Sequence, residues 1–87
     1  MIVYKYEILN PIDGRVYMTL PLDAYILTAA FQGDTPVLWV ASNHPHVTGT
    51  RALLLLMTGQ KIDDSYEDWT HVVTLTSPDG IVYHLFR

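Results

Sequence analysis

Residues 71–87 read HVVTLTSPDGIVYHLFR, and this stretch decides the fold class. Two runs rich in Val, Thr, Leu and Tyr flank a Ser-Pro-Asp-Gly segment, and β-branched and aromatic residues favour strands. Pro78 suits the first central position of a type I turn, and Gly80 suits the left-handed residue that follows it. The stretch therefore predicts a β-hairpin that joins His71–Thr76 to Ile81–Arg87.

The same turn chemistry occurs twice more in the chain. Asn10–Gly14 precedes the strand-like run Arg15–Leu20, and Gln32–Pro36 precedes Val37–Ser42. Both turns contain Gly beside Asp, and Gly supplies the positive φ that hairpin turns require. We expect three hairpins in an all-β fold with little helix, arranged as a small, mostly antiparallel sandwich or open barrel of six or seven strands.

Three segments have a less regular pattern. Ala52–Met57 contains four consecutive Leu residues, but it is short, lies between Gly49 and Gly59, and sits among strands. We interpret it as a strand buried on both faces rather than as a helix. Asp63–Trp69 is polar and acidic and predicts one helical turn or a loop. Asn43–Thr50 is expected to be the longest irregular stretch.

The strands differ in how their two faces are composed. Val3–Leu9 alternates between apolar and polar side chains, as a strand with one buried face does. Arg51–Met57 and Ile81–Arg87 are instead largely apolar on both faces. Because so small a chain cannot hide every such face, we expect a homo-oligomer, with a two-fold dimer favoured, built on these two strands.

Composition narrows the class of protein. The chain has 87 residues, which is one domain, with 49% apolar and 16% charged residues. It contains no Cys, so disulfides and cysteine zinc sites are excluded. A net charge of −4 with five Lys and Arg argues against nucleic acid as a partner. No run reaches the roughly 18 apolar residues of a membrane span, and no signal peptide follows Met1, so we expect a soluble cytoplasmic protein without a membrane partner.

A series of short motifs runs through the whole chain in a familiar order. They are Tyr4-Lys5-Tyr6, Leu20-Pro21, Ala24-Tyr25-Ile26-Leu27, Gln32-Gly33, Pro36, Leu38-Trp39, Arg51, Thr58-Gly59 and Gly80-Ile81-Val82-Tyr83-His84-Leu85-Phe86. This order resembles a family of very small phage and bacterial proteins described only as a domain of unknown function. The resemblance implies a compact β fold, a phage or prophage setting and the cytoplasm of a host bacterium. Many members have a His and a Pro soon after the Thr-Gly pair, where this chain has Gln60 and Lys61, so no ligand role is transferred from that His.

Two polar clusters have simple structural interpretations. His44-Pro45-His46 is the nearest approach to a zinc motif, but Pro45 and the preceding Asn43 favour an exposed turn. Four acidic residues fall close together and are interpreted as a solvated face: Asp63, Asp64, Glu67 and Asp68. The chain has no Gly-x-Ser-x-Gly elbow and no Gly-rich phosphate loop before a helix. We therefore expect neither enzymatic activity nor a cofactor.

Aromatic and cationic residues provide the candidate ligand site. The chain has six Tyr, two Trp and two Phe; we expect Trp39, Tyr6 and Tyr83 to favour the core, whereas Trp69 and Tyr66 lie in a polar segment where burial is not assured. If a nucleotide-like anion binds, Arg51 and Lys61 are expected to meet its phosphates, with Arg51 the stronger candidate. The base would stack on an aromatic side chain, and backbone amides would complete the cradle. The candidate ligand-binding residues are Arg51, Thr58, Gly59, Lys61, Tyr66, Trp69 and Tyr83.

Two functions from different classes fit these features. The first is a phage-type small-ligand binding protein that sequesters a nucleotide-derived immune signal in a pocket at a homo-oligomer interface. The second is a protein-interaction module that inhibits a host enzyme or serves as a phage structural accessory, because exposed aromatics and an acidic surface suit a basic partner.

Overall fold

The structure is a computed structural model that describes all 87 residues. It contains seven β-strands and a single turn of 3₁₀-helix, so the predicted all-β fold class is confirmed. The strands are β1 (Ile2–Glu7), β2 (Arg15–Pro21), β3 (Tyr25–Gln32), β4 (Thr35–Ser42), β5 (Thr48–Met57), β6 (His71–Thr76) and β7 (Val82–Phe86). The 3₁₀ turn, Tyr66–Asp68, lies within the stretch predicted to be a helical turn or a loop.

The strands form two antiparallel sheets that are not closed into a barrel. The three-stranded sheet has the order β1-β4-β3, and the four-stranded sheet has the order β2-β5-β7-β6. Three connections pass from one sheet to the other: β1 to β2, β2 to β3 and β4 to β5. The chain is therefore a small sandwich in which most strands pair with partners distant in sequence.

The core lies between the two sheets and follows from strand alternation. Successive side chains of a strand point to opposite faces, so every second residue can be buried. On β4, Leu38 and Val40 are fully buried in the core, and on β5 the inward pair is Leu53 and Leu55. Tyr6 packs against the same cluster, as predicted. These buried side chains define the inner face of each sheet, and the side chains that alternate with them point to the two outer faces.

Trp39 does not lie in the core, contrary to the prediction. Its neighbours Leu38 and Val40 both point inward, so Trp39 lies on the outer face of the three-stranded sheet, where it is half-buried opposite Lys5. When both faces of a strand are apolar, the alternation in the sequence does not show which set of side chains points into the core.

Two of the three predicted hairpins are confirmed, β3–β4 and β6–β7. The third is wrong, because β1 pairs with β4 and β2 pairs with β5. The turn itself is tight: Asp13 and Gly14 have φ of 51° and 82°, and Ile12 and Arg15 exchange two backbone hydrogen bonds. The ladder stops there because Pro11 has no N–H to donate and Asn10, at φ 54°, turns the chain away.

The Leu-rich segment is a strand buried on both faces, as predicted. Leu53, Leu54 and Leu55 are at most 5% exposed although they point alternately to opposite faces. The predicted irregular stretch Asn43–Thr50 is wrong, because β5 already begins at Thr48. The longest non-strand segment is instead Thr58–Thr70, which we call the covering segment.

Candidate functional site

The covering segment crosses the outer face of the four-stranded sheet. β5 and β6 run in the same direction because both are antiparallel to β7, which lies between them. Their connection must therefore return from one end of the sheet to the other over a face. The Thr58 N–H donates to Val82 O at 3.0 Å, and Thr70 exchanges two 2.8 Å backbone hydrogen bonds with Arg87. The segment is thus fixed at both ends to β7 or its continuation.

An apolar pocket of about 100 Å³ lies between the covering segment and the sheet. The sheet contributes Leu54, Leu56 and Phe86 to its lining. The covering segment contributes the remaining lining residues, which are Ile62, Asp64, Ser65, Tyr66 and Trp69. The pocket exists because the segment buries Leu54 without filling all the space above its neighbours.

A local hydrogen-bond pattern brings the two aromatics of the segment together. The Ser65 hydroxyl accepts from the Glu67 N–H at 3.2 Å, and the Trp69 N–H donates to Tyr66 O at 3.2 Å. The 3₁₀ turn covers Tyr66–Asp68 and ends at Trp69, whose backbone is extended, and both aromatic side chains line the pocket. Trp69 is half-buried and Tyr66 is 79% exposed, so Tyr66 stands at the mouth of the pocket.

One flank of the pocket is charged. Arg15 begins β2 directly opposite Leu54, and its guanidinium forms a 2.5 Å ion pair with Asp64 of the covering segment. An adjoining open groove of about 570 Å³ is lined by Asp13, Arg15, Gln60, Lys61, Ile62 and Asp63. The groove therefore brings two cations close to the pocket, together with the carboxylates of Asp13 and Asp63, and Asp64 lies beside them in the pocket lining.

The other flank carries a row of histidine and threonine side chains on β6, β7 and the start of the covering segment. The His84 ring bonds Thr58 Oγ1 through Nε2 at 2.8 Å and Thr74 Oγ1 through Nδ1 at 3.0 Å. His71 Nε2 bonds the same Thr74 oxygen at 3.1 Å and meets Phe86 edge-on, with ring centroids 5.4 Å apart. Because imidazole and hydroxyl groups can each donate or accept a hydrogen bond, this row can bind either a donor or an acceptor group of a ligand.

The structure brings together only some of the predicted site residues. Tyr66 and Trp69 line the pocket, and Lys61 lies in the adjoining groove. Thr58 is hydrogen-bonded to His84, and Gly59, at φ 87°, makes the sharp turn that follows β5. The aromatic half of the predicted site is thus assembled beside one of its two predicted cations.

The other two predicted residues lie on the opposite face of the sheet. Arg51 shares the alternation of Leu53 and Leu55, and its guanidinium donates to Ala24 O at 2.9 Å. Tyr83 packs against the core and against Phe31, with ring centroids 5.5 Å apart. One cradle cannot contain both these residues and Trp69, because the sheet separates them.

Sequence reasoning missed four residues that border the pocket: Arg15, His71, His84 and Phe86. The position of the two histidines could be predicted from the sequence, because the Ser77–Gly80 turn sets a hairpin register that places Thr74 opposite His84. The position of Arg15 beside the pocket could not, because it depends on the long-range pairing of β2 with β5. The sequence predicts a solvated face that includes Asp64, but Asp64 is half-buried in its pair with Arg15, unlike Asp63.

The other histidine pair lies in an exposed turn, as its sequence predicts. Val47 N–H donates to His44 O at 3.2 Å, with Pro45 between them. Asp23 anchors this loop by accepting hydrogen bonds from Ser42 Oγ at 2.5 Å and from the His44 N–H at 3.2 Å. Hydrogen bonds, that from Ser42 above all, lower the pKa of Asp23 below its ordinary value. No three His, Cys, Asp or Glu side chains are grouped to hold a metal ion.

Residues 1–87 match the model of the family described as domain of unknown function DUF7352. The chain belongs to this family. The match spans all 87 residues, so it includes every strand of both sheets. Searches of curated proteins and of solved structures found no match. The structure contains no helix of the length and apolar character needed to cross a membrane.

Proposed function

We propose that this DUF7352 protein binds a small molecule with a flat ring, and that the ring occupies the pocket beneath Trp69. The observation that carries the proposal is the pocket itself, where Trp69 and Tyr66 oppose Leu54 and Phe86. Aromatic side chains offer planar apolar faces, and a ring stacked on them leaves water without losing a hydrogen bond. Ligand sites are commonly apolar pockets bordered by a few polar groups, which is the arrangement here.

The size of the pocket limits what it can hold. Its volume of about 100 Å³ is below the several hundred Å³ typical of sites for whole ligands. A ring fits inside, and the rest of the ligand would extend into the groove lined by Arg15 and Lys61. Arg15 replaces Arg51 in this proposal as the guanidinium that meets a phosphate, because it lies on the same face as Trp69.

The charges of the groove favour a ligand with few phosphates. Two cations, Arg15 and Lys61, face Asp13, Asp63 and Asp64. Each added phosphate would bring further negative charge near these carboxylates, and like charges repel. We therefore propose a nucleoside or nucleoside monophosphate rather than a triphosphate.

Sequestration is the biological role that we propose for this binding. A phage setting, which the family resemblance implies, would make a nucleotide-derived immune signal a useful target in the cytoplasm of the host bacterium. Binding without conversion requires no catalytic group, only a pocket and a sufficient concentration of protein. A homo-oligomer that extends the small pocket across an interface remains part of the proposal.

The two tryptophans allow a direct test. In Trp39→Phe, the remaining indole is Trp69, so fluorescence reports on the pocket alone; in Trp69→Phe it reports on the other sheet. Titration with adenosine, AMP and ATP is expected to change the emission of Trp39→Phe and leave that of Trp69→Phe unchanged. AMP should also raise the melting temperature of the wild-type protein more than ATP does, because a ligand stabilises the state it binds. No response of Trp39→Phe to any of the three compounds contradicts the proposal.

A protein-interaction module is the second candidate. Its support is the outer face of the three-stranded sheet, where Tyr25 and Val3 are 63% and 51% exposed near Trp39. Exposed aromatic and aliphatic side chains are typical interface anchors, and the net charge of −4 suits a basic partner such as a host enzyme or a phage structural component. This candidate predicts no change of melting temperature with any nucleotide.

A further inference from the structure

β1 is an edge strand whose outer side has no partner. It pairs only with β4, and the Ile8 N–H continues that ladder by donating to Pro36 O at 2.8 Å. In an antiparallel ladder, alternate residues direct both backbone groups toward the neighbouring strand and the rest direct them away. Since Ile8 faces β4, the residues that present N–H and C=O groups to the free side are Val3, Lys5 and Glu7.

This edge lacks three of the features that prevent strand pairing, namely a bulge, a Pro and an inward-pointing charge. β3 and β6, by contrast, each contain a bulge, and these two strands lie against each other. β2 ends on Pro21, which cannot donate to a ladder. β1 has an unbroken register, no Pro and no inward-pointing charge, and Ile2 and Val3 are more than half exposed. Regular, uncovered edges of this kind are templates for pairing with another chain.

We propose that β1 pairs antiparallel with β1 of a second copy of this chain, with Lys5 of each copy opposite Glu7 of the other. A two-fold axis perpendicular to the sheet places odd residues opposite odd residues. Centring it on Tyr4 sets Lys5 opposite Val3, and centring it on Lys5 sets two ammonium groups opposite each other. Centring it on Tyr6 pairs opposite charges twice, which stabilises cross-strand neighbours.

Two further observations fit the register centred on Tyr6. It sets Val3 opposite Leu9, and these apolar side chains are 51% and 56% exposed, so pairing would cover both. Lys5 Nζ now donates to Gln32 Oε1 at 2.9 Å, which is a neutral acceptor. A carboxylate is the stronger acceptor for an ammonium group, so Glu7 of the second copy can replace Gln32. The pairing joins two three-stranded sheets into one of six strands and does not involve the pocket beneath Trp69.

Charge reversal tests the surface. Sedimentation of the wild-type protein over increasing concentration is expected to show a monomer–dimer equilibrium. Lys5→Glu sets like charges opposite each other and should raise the dissociation constant about ten-fold or more, and the double variant Lys5→Glu/Glu7→Lys should restore it. Arg87→Glu is the matched control, because it changes the net charge equally at an exposed position after β7, in the other sheet, and should leave the dimer intact.

Single cysteines test the register, because the chain has no cysteine of its own. Under mild oxidation, Tyr6→Cys is expected to form an interchain disulfide across the two-fold axis. Tyr4→Cys and Lys5→Cys should remain largely unlinked, since each faces a different residue. Circular dichroism of every variant checks that it is folded. A wild-type protein that stays monomeric, a charge swap that fails to restore the dimer, or preferential linkage through residue 4 or 5 overturns the proposal.

Discussion

The outer faces of the two sheets differ although both are apolar. On the four-stranded sheet, the chain's own covering segment crosses the strands, and Leu54 is only 2% exposed. On the three-stranded sheet, Tyr25 and Leu27 remain 63% and 43% exposed. The difference arises from topology, because only the β5–β6 connection must return over a face. A strand that is apolar on both sides therefore does not by itself indicate an interface between copies, since the same chain can provide the cover.

The largest expected effect comes from removing the side chain that the covering segment buries. Leu54→Ala should lower the free energy of unfolding by about 3 kcal/mol, because it leaves a cavity beneath the segment. Leu27→Ala, the same substitution on the exposed face, should cost less than about 1 kcal/mol. Urea unfolding of the two variants measures both values. Equal losses of unfolding free energy would mean that the covering segment does not stabilise the fold by burying Leu54.

A smaller difference is expected between two turn glycines. Gly14 and Gly33 both have positive φ, so replacing either with Ala should cost about 1–2 kcal/mol of backbone strain. A Cβ at Gly14 would also collide with the side chain of Leu56, whereas a Cβ at Gly33 meets nothing within 4 Å. Gly14→Ala should therefore cost at least about 1 kcal/mol more than Gly33→Ala. Thermal unfolding of both variants checks the difference, and a larger loss for Gly33→Ala would contradict it.

The smallest effect is expected from the ion pair that ties the covering segment to β2. The side chains of Arg15 and Asp64 are 32% and 28% exposed, so solvent screens their attraction. A double-mutant cycle with Arg15→Ala and Asp64→Ala should give a coupling below about 1 kcal/mol that falls with added salt. Amide exchange within the covering segment should nevertheless quicken in both variants, while exchange in β4 should not. Unchanged exchange in the segment would show that other contacts hold it.

The sequence was sufficient for the local parts of this architecture. The strands, the two local hairpins and the buried Leu-rich strand follow from turn residues, alternation and segment length, which act over a few positions. The pairing of β1 with β4 does not follow from such local signals. The Asp13-Gly14 turn is compatible with a β1–β2 hairpin, but Asn10 and Pro11 turn the chain away before β1 can pair with β2. The candidate site depends on the same long-range choice. Trp69 and Tyr66 are close together in sequence, so the sequence predicts both, whereas Arg15 reaches Asp64 beside the pocket only because β2 lies beside β5.

The pairing of β1 with β4 also has a consequence for the order of assembly. Ile2 pairs with Ser42, so the strand made first must wait for nearly half the chain before it has a partner. The two hairpins close short loops, and loop closure costs more entropy as the loop lengthens. We expect β3–β4 and β6–β7 to form early and β1 to join late. During that delay β4 has an open side that the β1 strand of any neighbouring chain can occupy, so crowded synthesis would favour chains that exchange their first strands.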